Sequence, residues 1–225
     1  MITLVPGCLS GRESVVFGCG PSLDDLPRAD FIRLVDSDPL FTVALNFTPL
    51  TKLFLETFGC VNVNLWRDEI ALESPLRRAF QQARYETRVG EGQVVKIGAA
   101  ERPADFDSLF DSAPFPQTCG AAGNAIGLLD FLGCRRITLV GVDLWGGGYA
   151  AFSPVWQEVV EAGSGESENA DGEQSKSNVA AWAQLRKLFA GRVELEFIGE
   201  RSLLGRAGLK QTTAAAVLER VEHAA

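Results

Sequence analysis

The sequence predicts an α/β protein, a doubly wound, mostly parallel sheet in a single domain that spans all 225 residues. Three stretches carry the prediction. "ESVVFGCG" is an apolar run that stops on two glycines. "RRITLVGVDL" is almost continuously apolar and follows a helix-like segment, and "RVELEFIG" repeats that helix-to-strand rhythm near the C-terminus. Parallel strands covered on both faces read this way, whereas half-exposed strands alternate.

Taken in order, the first strand lies in "ESVVF", because a β-branched and aromatic run ends abruptly on Gly18 and Gly20. "PSLDDL" then reads as a first helical turn, with Pro21 where no amide hydrogen is needed and aspartates where the helix dipole favours them. "LFTVALNFT" is a second buried strand that ends at Asn46, and "CVNVNLW" is a third candidate strand. "LESPLRRAFQQARYE" has helical character, "GQVVKIG" has strand character, and the stretch from Glu101 to Gln117 reads as a structured loop of prolines and aspartates between aromatics. In "TCGAAGNAIGLLDFLG" alanines and large aliphatics line a helix that stops at Gly133, directly before the strand that leads to Asp143. Beyond Trp145 the chain turns glycine-rich and then acidic. Residues 146–177 are expected to form a mobile lid or insertion, too polar from Gly163 to Ser177 to bury a core. The helix "NVAAWAQLRKLF", the strand "RVELEFIG" and the helix "TAAAVLERVEHA" complete the order.

Composition narrows the function. Hydrophobic residues make up 46%, ample for a core, and the net charge of -8 leaves Arg135 and Arg136 as the nearest thing to a basic patch. Nucleic acid is therefore not an expected partner. The five cysteines (Cys8, Cys19, Cys60, Cys119 and Cys134) are odd in number and scattered, and His223 is the single histidine. Neither a zinc site nor a disulfide framework is expected, which fits a cytoplasmic protein. "MITLVPGCLSGR" lacks the basic and long apolar regions of a signal peptide, and no transmembrane segment is expected. Self-association into a homo-oligomer stays open.

The glycine turn points to a ligand. A strand ending in Gly-x-Gly brings backbone close to a phosphate or ribose, and the following helix start offers unpaired amides. The same turn also serves as a tight strand-to-helix connection in any α/β protein. A dinucleotide fingerprint needs a small residue where Leu23 stands and an acidic one where Asn46 stands, so NAD is disfavoured. No G-x-x-x-x-G-K-[ST] occurs, which excludes a P-loop. Asn46 can read a ribose, a base edge or a phosphate, or simply cap the strand end. The second constellation is "VGVDLWGGGY", where Asp143 stands at a strand's carboxyl end and Trp145 and Tyr149 follow amid three glycines. Other signals read as structural. The Asp-Ser-Asp at 36–38 is a solvated loop at the rim opposite the glycine turn rather than a cation site. Cys19 and Cys119 are small buried side chains rather than nucleophiles, since no histidine pairs with them. Lys176 and His223 are solvated.

"FGCGPSLDDL", "VALNF" and "TCGAAGNAIGLLDFLGCRRITLVGVDLWGGGYA" together resemble the bacterial lipooligosaccharide sialyltransferases, and equally a wider Rossmann-like set that includes the archaeal 6-hydroxymethyl-dihydropterin diphosphokinases. "SKSNVAAWAQL" and "ELEFIGERSLLG" extend the likeness through most of the chain. The first resemblance implies a CMP-sialic acid donor bound without a metal, and a glycosyltransferase that moves a sugar from a nucleotide donor to a hydroxyl. Gly18, Cys19, Gly20, Pro21 and Ser22 would hold the nucleotide, with Asn46 at the second strand end and Thr118, Cys119 and Gly120 at the later helix start. Asp143 would lie near the donor. Trp145 and Tyr149 fall where that family stabilises the departing phosphate with tyrosine hydroxyls. The chain departs from the family in carrying Cys19 for an asparagine, Cys119 for a serine, Trp145 for a tyrosine, and Gln174 for the histidine that precedes a Ser-Lys pair. Glutamine is no proton acceptor near neutral pH, and loss of a general base costs about 10²- to 10⁴-fold in rate. Glu173, Asp143 and Asp171 are the available substitutes. The second resemblance implies an ATP-dependent diphosphokinase acting on a pterin alcohol with magnesium. A nucleotide-binding protein without catalysis is the third reading.

Overall fold

The computed structural model describes residues 7–45, 48, 51–58, 86–89, 93–96, 119–144, 150–152 and 171–224. Its centre is a five-stranded sheet in which every pairing is parallel. In chain order the elements are β1 (Glu13–Phe17), α1 (Arg28–Asp36), β2 (Leu40–Ala44), α2 (Lys52–Phe58), β3 (Glu86–Val89), β4 (Gln93–Lys96), α3 (Gly120–Phe131), β5 (Arg136–Val140), α4 (Glu173–Leu188), β6 (Glu194–Ile198), β7 (Lys210–Gln211) and α5 (Ala214–Ala224). The sheet order is β2-β1-β5-β6-β7, while β3 and β4 form a separate antiparallel pair. Val15, Val16 and Phe17 of β1 and Ile137, Leu139 and Val140 of β5 are almost wholly buried, as central parallel strands must be when helices cover both faces.

Side-chain parity assigns the two faces. Phe17 meets Phe31 of α1 and Phe54 of α2 edge-to-face, with centroids 5.3 and 5.6 Å apart. Glu13, of the same parity, meets Arg220 of α5. Ser14, of the opposite parity, meets the Cys134 thiol just past α3 at 2.9 Å. α1 and α5 thus cover one face, and α3 covers the other together with α4, whose Leu185 lies over Gly123. The sheet is doubly wound.

Under α5 the sheet carries a band of charge in place of apolar side chains. Glu13, Arg136 and Glu194 are register partners across β1, β5 and β6, and Arg136 bonds both carboxylates, at 2.8 and 2.5 Å. One row further, Thr138 donates to the fully buried Glu196 at 2.8 Å, and Arg220 bridges Glu196 and Glu13. Burying a carboxylate is costly unless it is paired and hydrogen-bonded, so this network anchors α5 to the sheet.

Several boundaries differ from those the sequence suggests. The turn after β1 is a single 3-10 turn, Pro21–Leu23, and α1 begins afresh at Arg28. Pro27 explains the break, since it supplies no amide hydrogen and biases Leu26 away from helical backbone. Glu86, expected at a helix end, belongs to β3, and the strand within 92–98 joins the small hairpin rather than the main sheet. α4 starts at Glu173, inside the segment expected as a lid, because Ser175 turns into the protein while the rest of that first turn stays exposed. The expected strand at 60–66 and loop at 101–117 lie outside the described residues, as does all of the helix at 72–86 except Glu86. Among the described residues no helix is long and apolar enough to cross a membrane.

Candidate functional site

The chain leaves β1 for β2 on one side and reaches β5 on the other, so the order reverses between β1 and β5. In open α/β sheets the ligand crevice lies outside the carboxyl ends of the strands at such a point. At that rim the turns after β1, β5 and β6 are joined to one another. Gly18 donates its amide to the Val140 carbonyl and Gly20 to the Gly141 carbonyl, both at 2.7 Å. The Ser22 amide donates to Asp143 Oδ2 at 2.8 Å. From the turn after β6, Ser202 Oγ donates to the Val142 carbonyl at 2.6 Å and the Leu203 amide to the Asp143 carbonyl at 3.0 Å.

This junction explains the glycines. Gly20 has ordinary extended backbone (φ -73°, ψ 160°), yet a Cβ there would collide with the Asp143 carboxylate and stand 2.8 Å from the Gly141 carbonyl. Gly199 combines a left-handed φ of +126° with a position where a Cβ would lie 2.7 Å from the Ser22 Cβ. Gly-x-Gly here lets two protein turns meet. The anion-binding role expected of the Ser22 amide is taken by the protein's own Asp143, and the 3-10 turn contributes no extended helix dipole.

Asp143 is 4% exposed and Ser22 1%. Asp143 Oδ1 is buried without a hydrogen-bond partner among the described residues, and the Ser22 hydroxyl is buried beside the same carboxylate. Burial pushes the Asp143 carboxyl above its ordinary value; the Ser22 hydroxyl beside it, the bond from the Ser22 amide and the charge of Arg201 act against that rise, and Asp25 adds to it. Leu144, next in the chain, has a φ of +66°, a conformation that costs a residue with a Cβ about 1–2 kcal/mol. Asn178 of α4 holds it there, donating from Nδ2 to the Leu144 carbonyl at 3.2 Å.

The structure brings together most of the expected residues it describes. Gly18, Cys19, Gly20, Pro21 and Ser22 end β1, and Asp143 faces them. Cys119 and Gly120 open α3, which runs from this rim towards the start of β5. Gln174 lies exposed on the first turn of α4 and donates to Asn178 at 3.1 Å, which ties it through Asn178 to the residue after Asp143. Cys119 is buried and its thiol is pushed up to about 11 by that burial, so it stays protonated and is no nucleophile at neutral pH, whereas Cys19, expected to be buried as well, is only half-buried on the glycine turn. The Asp-Ser-Asp lies at the opposite rim, between α1 and β2. No group of three or more metal-ligating side chains occurs among the described residues. Asn46, Thr118, Trp145 and Tyr149 lie outside the described residues.

Sequence reasoning missed Asn178 and Arg201. Arg201 lies on the turn after β6 and pairs with Asp25 at 2.9 Å. The available signal was its position just past "LEFIG", the carboxyl end of a third strand.

Three solved structures are similar to the chain. The first is a variant of the sialyltransferase CST-II in complex with CMP, at 15% identity and a TM-score of 0.49, covering 89% of this chain and 86% of that one. The second is CST-II with a trisaccharide acceptor and CMP, at 16% identity and a TM-score of 0.47, with the same coverage. The third is CstII from Campylobacter jejuni with the substrate analogue cytidine-5'-monophosphate, at 16% identity and a TM-score of 0.43, covering 91% and 86%. No protein-family model and no curated protein matches the chain.

Proposed function

We propose that the chain is a nucleotide-dependent transferase of the sialyltransferase-like type, moving a sugar from a CMP-type donor to a hydroxyl acceptor. The observation that carries this reading is the buried Asp143 carboxylate that faces the Ser22 turn at the switch point, with its Oδ1 unpartnered among the described residues. A buried polar atom left unsatisfied costs about 1–3 kcal/mol, which supports a ligand group as the partner of Asp143 Oδ1. An ionised carboxylate only accepts, and therefore takes hydroxyl or amino donors. A nucleoside offers these on its ribose and base; a phosphate at neutral pH offers none and is repelled.

In the reaction the bond between the anomeric carbon and the phosphate oxygen breaks, and the nucleotide leaves with the electron pair. The acceptor oxygen then bonds to that carbon and releases its proton. Positioning and stabilisation of the leaving phosphate supply most of the rate, with no metal in this reading. Gln174 orients the acceptor but takes no proton. Asp143 is buried against Ser22 and Asp171 pairs with Arg206 at 2.9 Å, which leaves the exposed Glu173 for the proton. Trp145 and Tyr149 are assigned to the leaving phosphate on the resemblance alone.

Calorimetric titration with CMP, CDP, UDP and ATP tests the proposal. CMP is expected to bind, and Asp143→Ala to weaken it about 10- to 100-fold. Absence of binding to all four at millimolar concentration refutes the reading, and ATP binding that strengthens with magnesium supports the diphosphokinase instead.

A further inference from the structure

We propose that Asn178 is a positioning residue of the nucleotide site: from α4 it holds the strained Leu144 in place and so fixes the segment that presents the Asp143 carboxylate to the ligand. The inference rests on the nucleotide reading above and goes beyond it in naming a residue, outside the strand-end turns, on which the geometry of Asp143 depends.

The first observation is a run of five carbonyls, Val140 to Leu144, each of which accepts a hydrogen bond from another part of the chain. The Gly18 and Gly20 amides of the turn after β1 donate to Val140 and Gly141, both at 2.7 Å. From the turn after β6, the Ser202 hydroxyl donates to Val142 at 2.6 Å and the Leu203 amide to Asp143 at 3.0 Å. Asn178 Nδ2 closes the run at Leu144, at 3.2 Å. Asp143 stands next to last, so the bond at Leu144 decides whether the segment is held on both sides of the carboxylate or on one.

The second observation is that the backbone needs holding at that same place. Leu144 has a φ of +66° and, among the described residues, is the only one besides glycines with a positive φ. Its Cβ disfavours that conformation, which persists only where the surroundings over-determine it. Packing of the Leu144 side chain against the core supplies one restraint and Asn178 supplies another.

The third observation is the setting of Asn178 itself. It stands three residues after Ser175 and four before Trp182, on the helix face that buries Ser175, Trp182 and Leu185. Alanine is the better helix former and would suit that half-buried position, so α4 by itself gives no reason for an asparagine. The Asn178 amide is committed at both ends. A carbonyl such as that of Leu144 is met by the NH2 group, and Oδ1 accepts from Gln174 Nε2 at 3.1 Å. A side chain fixed by helix packing and by two hydrogen bonds is in place before the ligand arrives, which lowers the ordering cost of binding.

Without Asn178, Leu144 relaxes towards ordinary backbone and the segment is released just beyond Asp143. Only the fraction of molecules that keeps the left-handed turn then presents the carboxylate correctly, and apparent affinity falls by that fraction.

The test is a double-mutant cycle on Asn178→Ala and Leu144→Gly, read by calorimetric titration with CMP and by thermal midpoint, with circular dichroism confirming that each protein is folded at the titration temperature. Asn178→Ala is expected to weaken CMP about 5- to 30-fold, the population ratio conceded by one left-handed residue that carries a Cβ. In the Leu144→Gly background the same substitution is expected to change CMP affinity by less than about twofold, because glycine occupies the left-handed region without that cost. Any loss of Leu144 packing is common to both glycine proteins and cancels in the cycle. Equal weakening in the two backgrounds overturns the proposal. So does a lowered midpoint in Asn178→Ala with CMP affinity unchanged, which is the mark of a stabilising contact alone. If Asn178→Ala does not fold, the double variant is expected to fold and bind CMP, and failure of both overturns the proposal as well. Wild type that binds none of CMP, CDP, UDP and ATP overturns the function and the role of Asn178 in binding together. A midpoint loss that shrinks in the glycine background distinguishes that outcome from an error in the Asn178–Leu144 geometry.

Discussion

Replacing Gly20 by alanine separates the two meanings a Gly-x-Gly turn can have. If the glycine served only the approach of a ligand, alanine would not lower stability and would remove binding. The backbone there (φ -73°, ψ 160°) is one that alanine adopts readily, and in open space the substitution would stabilise by about 0.4–1 kcal/mol through the unfolded chain. The space is not open. The new methyl would meet the Asp143 carboxylate, with the Gly141 carbonyl 2.8 Å away. The carboxylate can swing aside only by giving up its bond to the Ser22 amide, worth about 1.5–3 kcal/mol as a bond to a charged group. The Gly141 carbonyl can recede only by lengthening its bond from the Gly20 amide, worth about 1 kcal/mol. Against the small gain from alanine, the net expectation is a loss of about 2–3 kcal/mol. Urea denaturation followed by circular dichroism measures it as a lower midpoint at unchanged slope. An unchanged or higher midpoint for Gly20→Ala would refute the reasoning that two protein turns meet at this glycine.

Three further expectations concern the rest of the molecule. Arg220→Met leaves the fully buried Glu196 without its cation and is expected to destabilise by about 3–5 kcal/mol in the same denaturation assay; a loss below about 1 kcal/mol contradicts the anchoring role given to the network. Burial raises the Asp143 carboxyl in the folded state, so the folded protein holds that proton more tightly than the unfolded chain. Stability is therefore expected to fall as pH rises from the ordinary 3.8 through the raised value. Asp143→Asn, which keeps an oxygen for the Ser22 amide, is expected to lack that part of the fall; a pH-independent difference in urea midpoint between the two proteins contradicts it. Among the described cysteines, Cys8 is exposed, whereas Cys119 and Cys134 are buried with thiols pushed up to about 11. Iodoacetamide at about pH 8 is expected to modify Cys8 in the folded protein, the half-buried Cys19 more slowly, and Cys119 and Cys134 only on unfolding, read by peptide mass spectrometry.

The parts of the fold that were legible are those written in short local patterns. "ESVVF", "LFTVA", "RITLV" and "ELEFI" each announce a buried strand, and the helix stop at Gly133 is as local. Pro27 was visible too, and its conflict with a continuous helix after Pro21 follows from backbone sterics alone. The start of α4 was hidden because a helix whose first turn is mostly exposed has the composition of a loop. The charge network was hidden for another reason, since Glu13 and Arg220 stand 207 residues apart and no periodicity joins them. Glu196 within an apolar strand was the one hint that a buried partner must exist. At the site, Ser22 and Asp143 were each readable as strand-end residues. Their bond across 121 residues became predictable only with the parallel order β1-β5 in hand. The meaning of the glycines reversed for the same reason, since what crowds them comes from a distant turn. Arg201 needed the order one strand further, to β6.

The account stands or falls on what becomes the partner of Asp143 Oδ1. A crystal structure of the protein with CMP measures this directly. The account predicts a ribose or base donor at hydrogen-bonding distance, about 2.6–3.2 Å, from Asp143 Oδ1. A nucleotide bound away from the β1-β5 rim, or one whose phosphate rests on the Gly18–Ser22 turn, contradicts it.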